Sequence, residues 1–237
     1  MFKVLWVMAF NLNDGMKYLM IGNSRWHWAI KEGNEWKFVH TEPNMTNLIV
    51  DDAKDIKWAC VGVLPEQGYL NLSNQIKTED IPLKNLPSWL GIDRALGAWG
   101  AMNKSQKIGK IDQGIIIADA GTVLSLTLID AKGSFIGGQL TSGLRLNLVA
   151  MDKGTQNLQD PGSIKKMPSM SPLKTNQAMQ RGALQSIIGV LREAQITFEM
   201  PIWLCGGDSA LIIQELNKRK LNIQYHPNLV LEGMTYL

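Results

Sequence analysis

The run Gly114-Ile115-Ile116-Ile117-Ala118-Asp119-Ala120-Gly121-Thr122-Val123-Leu124-Ser125-Leu126-Thr127-Leu128 constrains the chain more than any other. An unbroken apolar stretch reads as a buried strand, and the Asp-x-Gly-Thr at its end as a tight turn into a second β-rich run. A carboxylate at the mouth of a buried strand is costly unless something pairs with it. Asp119 therefore has two readings: a solvated residue of a plain hairpin, or a ligand for whatever the turn receives. Gly121 would let such a ligand approach the backbone closely.

The same pattern occurs earlier in the chain. Sliding this segment without gaps over the first meander puts Gly121 on Gly22, Thr122 on Asn23, Ile129 on Ile30, Gly133 on Asn34 and Phe135 on Trp36. Strands are expected at Lys17–Ile21, Arg25–Ile30 and Trp36–Val39, with Trp26, Trp28 and Ile30 on one face. Their counterparts are Ile115–Ala118, Val123–Ile129 and Ser134–Ile136. A repeat of strand, Gly turn, strand, turn, strand predicts a duplicated α/β architecture, two related lobes facing a cleft with both Gly turns directed into it. Residues 1–16 read as an N-terminal extension, 17–105 as the first lobe and 106–237 as the second. A short helix is expected near Asn44 to Asp52 and a buried strand at Trp58–Val63. Ile92, Leu96, Trp99 and Met102 recur at helical spacing, so a helix begins near Asp93. Gly137-Gly138 and Gly143 break the chain before a helix at Leu144–Met151, and Lys153–Pro172 is a long loop. A helix at Thr175–Glu193, a strand at Pro201–Leu204, a helix through Leu216, a segment Leu221–Tyr225 and a short amphipathic Leu229–Tyr236 complete the chain.

Charge and cysteine usage narrow the functional classes. A net charge of +3 offers no basic patch for nucleic acid or a membrane surface. Cys60 and Cys205 lie in apolar runs and read as reduced, buried thiols. No run is long enough to span a membrane, and Met1 to Phe10 is too short and poorly flanked for a signal peptide. A cytoplasmic protein is the expectation.

Two Gly turns facing one cleft suit a phosphate chain, because backbone N–H groups and the hydroxyls of Ser24 and Thr122 can cradle phosphate oxygens. Gly206-Gly207 adds a third such turn. A P-loop and a dinucleotide fingerprint are both absent. Asp93 follows Gly91-Ile92 and opens a helix, which fits an N-cap or a general base aimed at a substrate hydroxyl, with Arg94 beside it for an anionic group. Asp119 suits a cation beside the phosphates. His27 sits between two tryptophans and reads as packed. His40 and His226 show no partner spacing, so neither zinc nor a His-based triad is expected. Asp152, Lys153, Lys165 and Lys166 read as solvated charges.

Met20-Ile21-Gly22-Asn23-Ser24, Gly91-Ile92-Asp93-Arg94, Asp119-Ala120-Gly121-Thr122, Gly137-Gly138 with Gly143, Thr175, Gly206-Gly207-Asp208 and the closing Leu229-Val230-Leu231-Glu232-Gly233 occur in one order. In that order and spacing they resemble the type III pantothenate kinases. The resemblance implies an actin-like, duplicated ribonuclease-H-type fold, usually a homodimer, that phosphorylates pantothenate with ATP and Mg2+ as the first step towards coenzyme A. It makes Asp93 the base, and Gly91, Ile92, Arg94 and Thr175 the pantothenate contacts, with Thr175 reaching across the dimer interface. It makes Asp119 the ligand of a monovalent cation, K+ or NH4+. Met20, Ile21, Gly22, Asn23, Ser24, Arg25, His27 and Thr122 become the ATP-binding positions. Three positions depart from the family's pattern. Met20 stands where the first motif begins with aspartate, His27 where a lysine is common, and Lys84 where a tyrosine is often found. The first departure motivates a rival expectation, a non-catalytic binding or regulatory relative; a sugar kinase of the same superfamily is a third.

Overall fold

Two mixed sheets of the same construction carry the fold in the computed structural model, which describes residues 16–44, 55–66, 69–109, 112–219 and 221–237. The first contains β1 (Lys17–Ile21), β2 (Trp26–Glu32), β3 (Glu35–Thr41) and β4 (Lys57–Cys60), in the order β3-β2-β1-β4. The second contains β5 (Ile115–Ala120), β6 (Val123–Ile129), β7 (Phe135–Ser142), β8 (Ile202–Cys205) and β9 (Ile223–Tyr225), in the order β7-β6-β5-β8-β9. In each sheet the first two pairings are antiparallel and the next strand joins parallel. The repeat read from the Gly turns is thus a repeat of topology.

The helices are α1 (Ile92–Ile108), α2 (Leu144–Gly154), α3 (Thr175–Phe198), α4 (Ser209–Leu216) and α5 (Leu229–Met234). Helix α1 packs against both sheets. Ile92, Ala95 and Leu96 join Tyr18, Met20, Ala29 and Ala59 of the first sheet in one buried cluster. Ala98, Ala101 and Met102 join Ile115, Ile117 and Cys205 of the second in another. Its small residues permit this: a side chain on Gly100 would reach within 2.6 Å of the Leu229 carbonyl, and one on Gly233 would collide with the Leu96 carbonyl. Helix α5 therefore seats backbone against backbone on α1 and fixes it between the sheets. The outer faces are apolar too. Trp26, Trp28 and Trp58 pack with Leu19 and Ile21, while α2, α3 and α4 cover Ile116, Leu124 and Leu126.

Several boundaries differ from the sequence reading. Gly137-Gly138 does not break the chain; β7 runs through it to Ser142, absorbing a register shift at Leu128/Ile129 where Gly137 takes φ +132°. Strand β4 stops at Cys60 because the Val61 and Gly62 N–H groups both turn to the Ile21 carbonyl, at 3.0 and 3.2 Å. Helix α3 continues past Glu193 to Phe198 and ends at Glu199 in the left-handed region. Both cysteines are free; Cys205 is buried as expected, but Cys60 is only partly so. The helix expected near Asn44 to Asp52 and nearly all of the N-terminal extension lie outside the described residues. Among those described, no helix is long and apolar enough to cross a membrane.

Candidate active site

The two Gly turns meet. Ser24 Oγ, in the β1–β2 turn, lies 3.0 Å from Thr122 Oγ1, in the β5–β6 turn. Each turn is shaped by close backbone packing. A side chain on Gly62 would overlap the Gly22 carbonyl, and one on Gly143, at the start of α2, would overlap the Gly121 carbonyl. Gly143 N–H donates to the Thr122 carbonyl at 3.0 Å, and Asp208 N–H, ahead of α4, to the Ala120 carbonyl at 2.9 Å. Two helix N-termini thereby sit behind the second turn, where their dipoles favour an anion.

Asp119 is the penultimate residue of β5, on the strand face that carries Ile115 and Ile117 towards α1. Gly206, at φ +90°, approaches its carboxyl so closely that a Cβ would collide with Oδ1. Burial, then the charge of Asp93, raise the Asp119 pKa to about 7. The carboxyl is part-buried, and no cationic side chain among the described residues lowers its pKa. Such a carboxyl fits a bound cation. The described residues hold no cluster of three His, Cys, Asp or Glu side chains, so a metal there must share ligands with substrate oxygens or backbone carbonyls.

Asp93 is not the N-cap of α1. Gly91 occupies that place, and Asp93 lies in the first turn, with Oδ1 accepting from Arg94 N–H at 2.8 Å. A Cβ on Gly91 would come within 2.6 Å of that same oxygen, so glycine there gives the carboxyl its room. Burial raises the Asp93 pKa, against the backbone N–H bonds and Arg94, which lower it. The Arg94 side chain is pinned to the second sheet. Its Nε donates to Thr127 Oγ1 and its Nη2 to the Leu126 carbonyl, both at 3.0 Å. A side chain on Gly138 would overlap that guanidinium.

Met20 is 3% exposed and packs in the core beneath α1. It stands opposite His27 in the β1–β2 register, and His27 opposite His40 in the β2–β3 register. His27 Nδ1 lies 2.7 Å from His40 Nδ1, and His40 Nε2 lies 3.0 Å from Asn228 Oδ1. His40 thus has two side-chain partners that its spacing in the sequence did not suggest. Arg25 faces Asp208 closely enough to oppose the rise that burial imposes on its pKa. Thr175 is exposed at the start of α3 and makes no hydrogen bond to Asp93 or Arg94. The structure thus brings together Asp93, Arg94 and Asp119, and joins the two turns through Ser24 and Thr122. Thr175 stands apart.

Sequence reading missed Thr127, His40 and Asn228, and it took Gly138 as a break rather than as the residue that admits the Arg94 guanidinium. His40 was legible, since a two-residue turn at Gly33-Asn34 pairs it with His27. Thr127 and Asn228 carry no local signal.

Two sheets of one order, their first turns in contact, and a carboxylate-bearing helix start between them define the duplicated ribonuclease-H-type fold of actin-like kinases and ATPases. The same fold is found at a TM-score of 0.60 and 18% identity in a Campylobacter jejuni protein assigned to the Baf family of transcriptional activators, over 93% of this chain and 96% of that one. It recurs at 0.58 and 10% identity in a Sinorhizobium meliloti protein assigned as a 2-dehydro-3-deoxygalactonokinase, over 93% and 97%. Within that class the chain belongs to the type III pantothenate kinase family, whose profile matches residues 69–196. It is 31% identical to the type III pantothenate kinase of Thermosynechococcus vestitus over 84% of this chain and 79% of that one. It is 28% identical to that of Synechococcus sp. (strain JA-3-3Ab) over 91% and 88%.

Proposed function

We propose that this protein phosphorylates pantothenate with ATP, the first step towards coenzyme A. The observation that carries the reading is the helix start. Asp93 is part-buried close enough to Asp119 for their charges to interact, while Arg94 next to it is clamped by Thr127 and the Leu126 carbonyl. Asp93 is the base that aligns or deprotonates the pantothenate hydroxyl; burial raises its pKa, while the α1 N–H groups and Arg94 favour its ionised form. Gly91, Ile92 and Arg94 contact pantothenate, and Arg94 has Nη1 left to offer an acceptor. The turns at Gly22-Asn23-Ser24 and Thr122, with Met20, Ile21, Arg25 and His27 around the first, hold ATP. Mg2+, carried with the nucleotide, and K+ or NH4+ at Asp119 neutralise charge that develops on the phosphates. Transfer of a phosphoryl group asks mainly for alignment and charge neutralisation, which these residues supply. Met20 supplies no hard oxygen ligand, so of the two equivalent strand positions only Asp119 offers a carboxylate to a cation.

The protein works as a cytoplasmic homodimer. Thr175 supports this, standing exposed beside a fully exposed Leu173, where a second copy would bring it to the partner's pantothenate. The two lobes divide at 105/106, within α1. The test is formation of phosphopantothenate from ATP, Mg2+, K+ and pantothenate. Asp93→Asn is expected to lower kcat by about 10²–10⁴-fold, the usual worth of a positioned base. Equal turnover by both proteins would remove Asp93 from its role, and ligand binding without turnover in the wild type would favour the regulatory reading.

A further inference from the structure

The chain His27–His40–Asn228 has a direction. Asn228 presents Oδ1 to His40, and an amide oxygen only accepts, so His40 Nε2 carries the proton of that 3.0 Å bond. In the tautomer with its proton on Nε2, His40 has a bare Nδ1, which accepts from His27 Nδ1–H at 2.7 Å. A neutral His27 holding its proton on Nδ1 has a bare Nε2. That nitrogen abuts the first Gly turn: a Cβ on Gly22 would lie 3.2 Å from it. It has no hydrogen-bond partner among the described residues.

We propose that His27, already placed beside the nucleotide turn, works in its protonated form and is aimed by His40 and Asn228, so that nucleotide binding takes up a proton. The inference rests on the assignment of the Gly22-Asn23-Ser24 turn to nucleotide. An imidazole with a bare Nε2 repels a phosphate oxygen, whereas the imidazolium donates a charge-assisted bond to it. Before nucleotide binds, His27 is neutral. Burial first, then His40 on β3 and Arg25 in the turn, hold its pKa down at about 4, and no carboxylate opposes them; Asn228 at the head of α5 is uncharged. One phosphate charge at about 4 Å, at the effective dielectric of a partly buried site, lifts such a pKa by about three units. That brings it to near neutrality. Glycine at 22 is required first by the turn itself, since a Cβ there would lie 2.8 Å from the Arg25 carbonyl, and its lack of a side chain also leaves His27 Nε2 room beside the turn.

The experiment is calorimetry of Mg–ATP binding without pantothenate, in buffers of different ionisation enthalpy at pH 6, 7 and 8. The binding enthalpy is expected to vary with buffer enthalpy as for uptake of most of one proton at pH 6, falling towards none at pH 8. His27→Gln removes that uptake. Asn228→Asp separates aiming from packing. Its carboxylate charges His40, whose Nδ1–H then pushes the His27 proton onto Nε2 in advance. Uptake at pH 7 shrinks while affinity rises several-fold. Nucleotide bound with equal uptake in wild type and His27→Gln, or with none at pH 6, overturns this inference and leaves the nucleotide assignment standing. Weaker binding by Asn228→Asp with unchanged uptake overturns the aiming role. No nucleotide binding at any pH overturns both readings.

Discussion

Asp119→Asn is expected to stabilise the ligand-free protein, and to do so only towards alkaline pH. Burial and the neighbouring Asp93 raise the Asp119 pKa from 3.8 to about 7. A raised folded-state pKa means that the folded protein holds the proton more tightly than the unfolded chain between those two values. The stability this group contributes is present in full below the unfolded value, falls through the window, and is gone above pH 7. A rise of about three pKa units, at about 1.36 kcal/mol each, corresponds to about 4 kcal/mol as a ceiling. Relaxation of the charged site brings the expected difference to about 2–4 kcal/mol. Asparagine copies the protonated shape without the titration. In buffers free of K+, Mg2+ and nucleotide, Tm of Asp119→Asn should match wild type at low pH, near 4, and exceed it by roughly 5–15 °C at pH 8.5. Adding K+ and Mg–ATP at pH 8.5 should close the gap, because only the wild type has a carboxylate for a cation to neutralise. Parallel Tm–pH curves for the two proteins would refute the argument, and with it the raised pKa of Asp119.

Removing the Thr127 hydroxyl as Thr127→Val leaves Arg94 Nε without its acceptor. The KM for pantothenate should rise about tenfold with a smaller change in kcat, and Thr127→Ser should restore it. Gly138→Ala puts a methyl into the Arg94 guanidinium and the Leu126 carbonyl. The same kinetic signature is expected, with Tm lowered by several degrees. Met20→Asp buries a lone carboxylate under α1 and should cost about 2–4 kcal/mol in denaturant melts. Adding His27→Lys, directly opposite, should recover at least about 1 kcal/mol of that loss, and strict additivity would sink the pairing.

The fold was legible wherever hydrophobic pattern and turn chemistry agreed. Gly22 and Gly121, Gly33 and Gly133 punctuate two meanders, and both sheets form in the order the repeat implies. What failed was the assumption that glycine ends a strand. Gly137-Gly138 continues β7, because a strand that must admit the Arg94 guanidinium needs a residue with no side chain there. The site was legible where one residue carries the chemistry, as at Asp93 and Asp119. It was not where the partner comes from another element. Thr127 reads as an ordinary strand threonine until α1 lays Arg94 across it, and Asn228 as a turn residue until α5 docks on the first sheet. Asp93 reads locally as a cap because helix starts favour aspartate; only the fold shows that Gly91 has that position and leaves the carboxyl to other work.

The asymmetry between the lobes has a physical logic. Across the second sheet one register row reads Cys205, Asp119, Ser125, Leu140. Across the first, the corresponding row reads Ala59, Met20, His27, His40. The family's first motif begins with an aspartate at the position of Met20 and often carries a lysine at that of His27, so the two departures are cross-strand neighbours. Replacing either alone would leave an unpaired charge at a part-buried spot, an expensive outcome. Replacing both by groups that are neutral in the ligand-free protein keeps the row balanced and lets Met20 pack against Ile92. The cost falls on the nucleotide, which loses a fixed cation at its first turn. A histidine that is neutral when the turn is empty and protonates when it is occupied restores that charge only at the moment it is needed, and its aim depends on the third member of the same row.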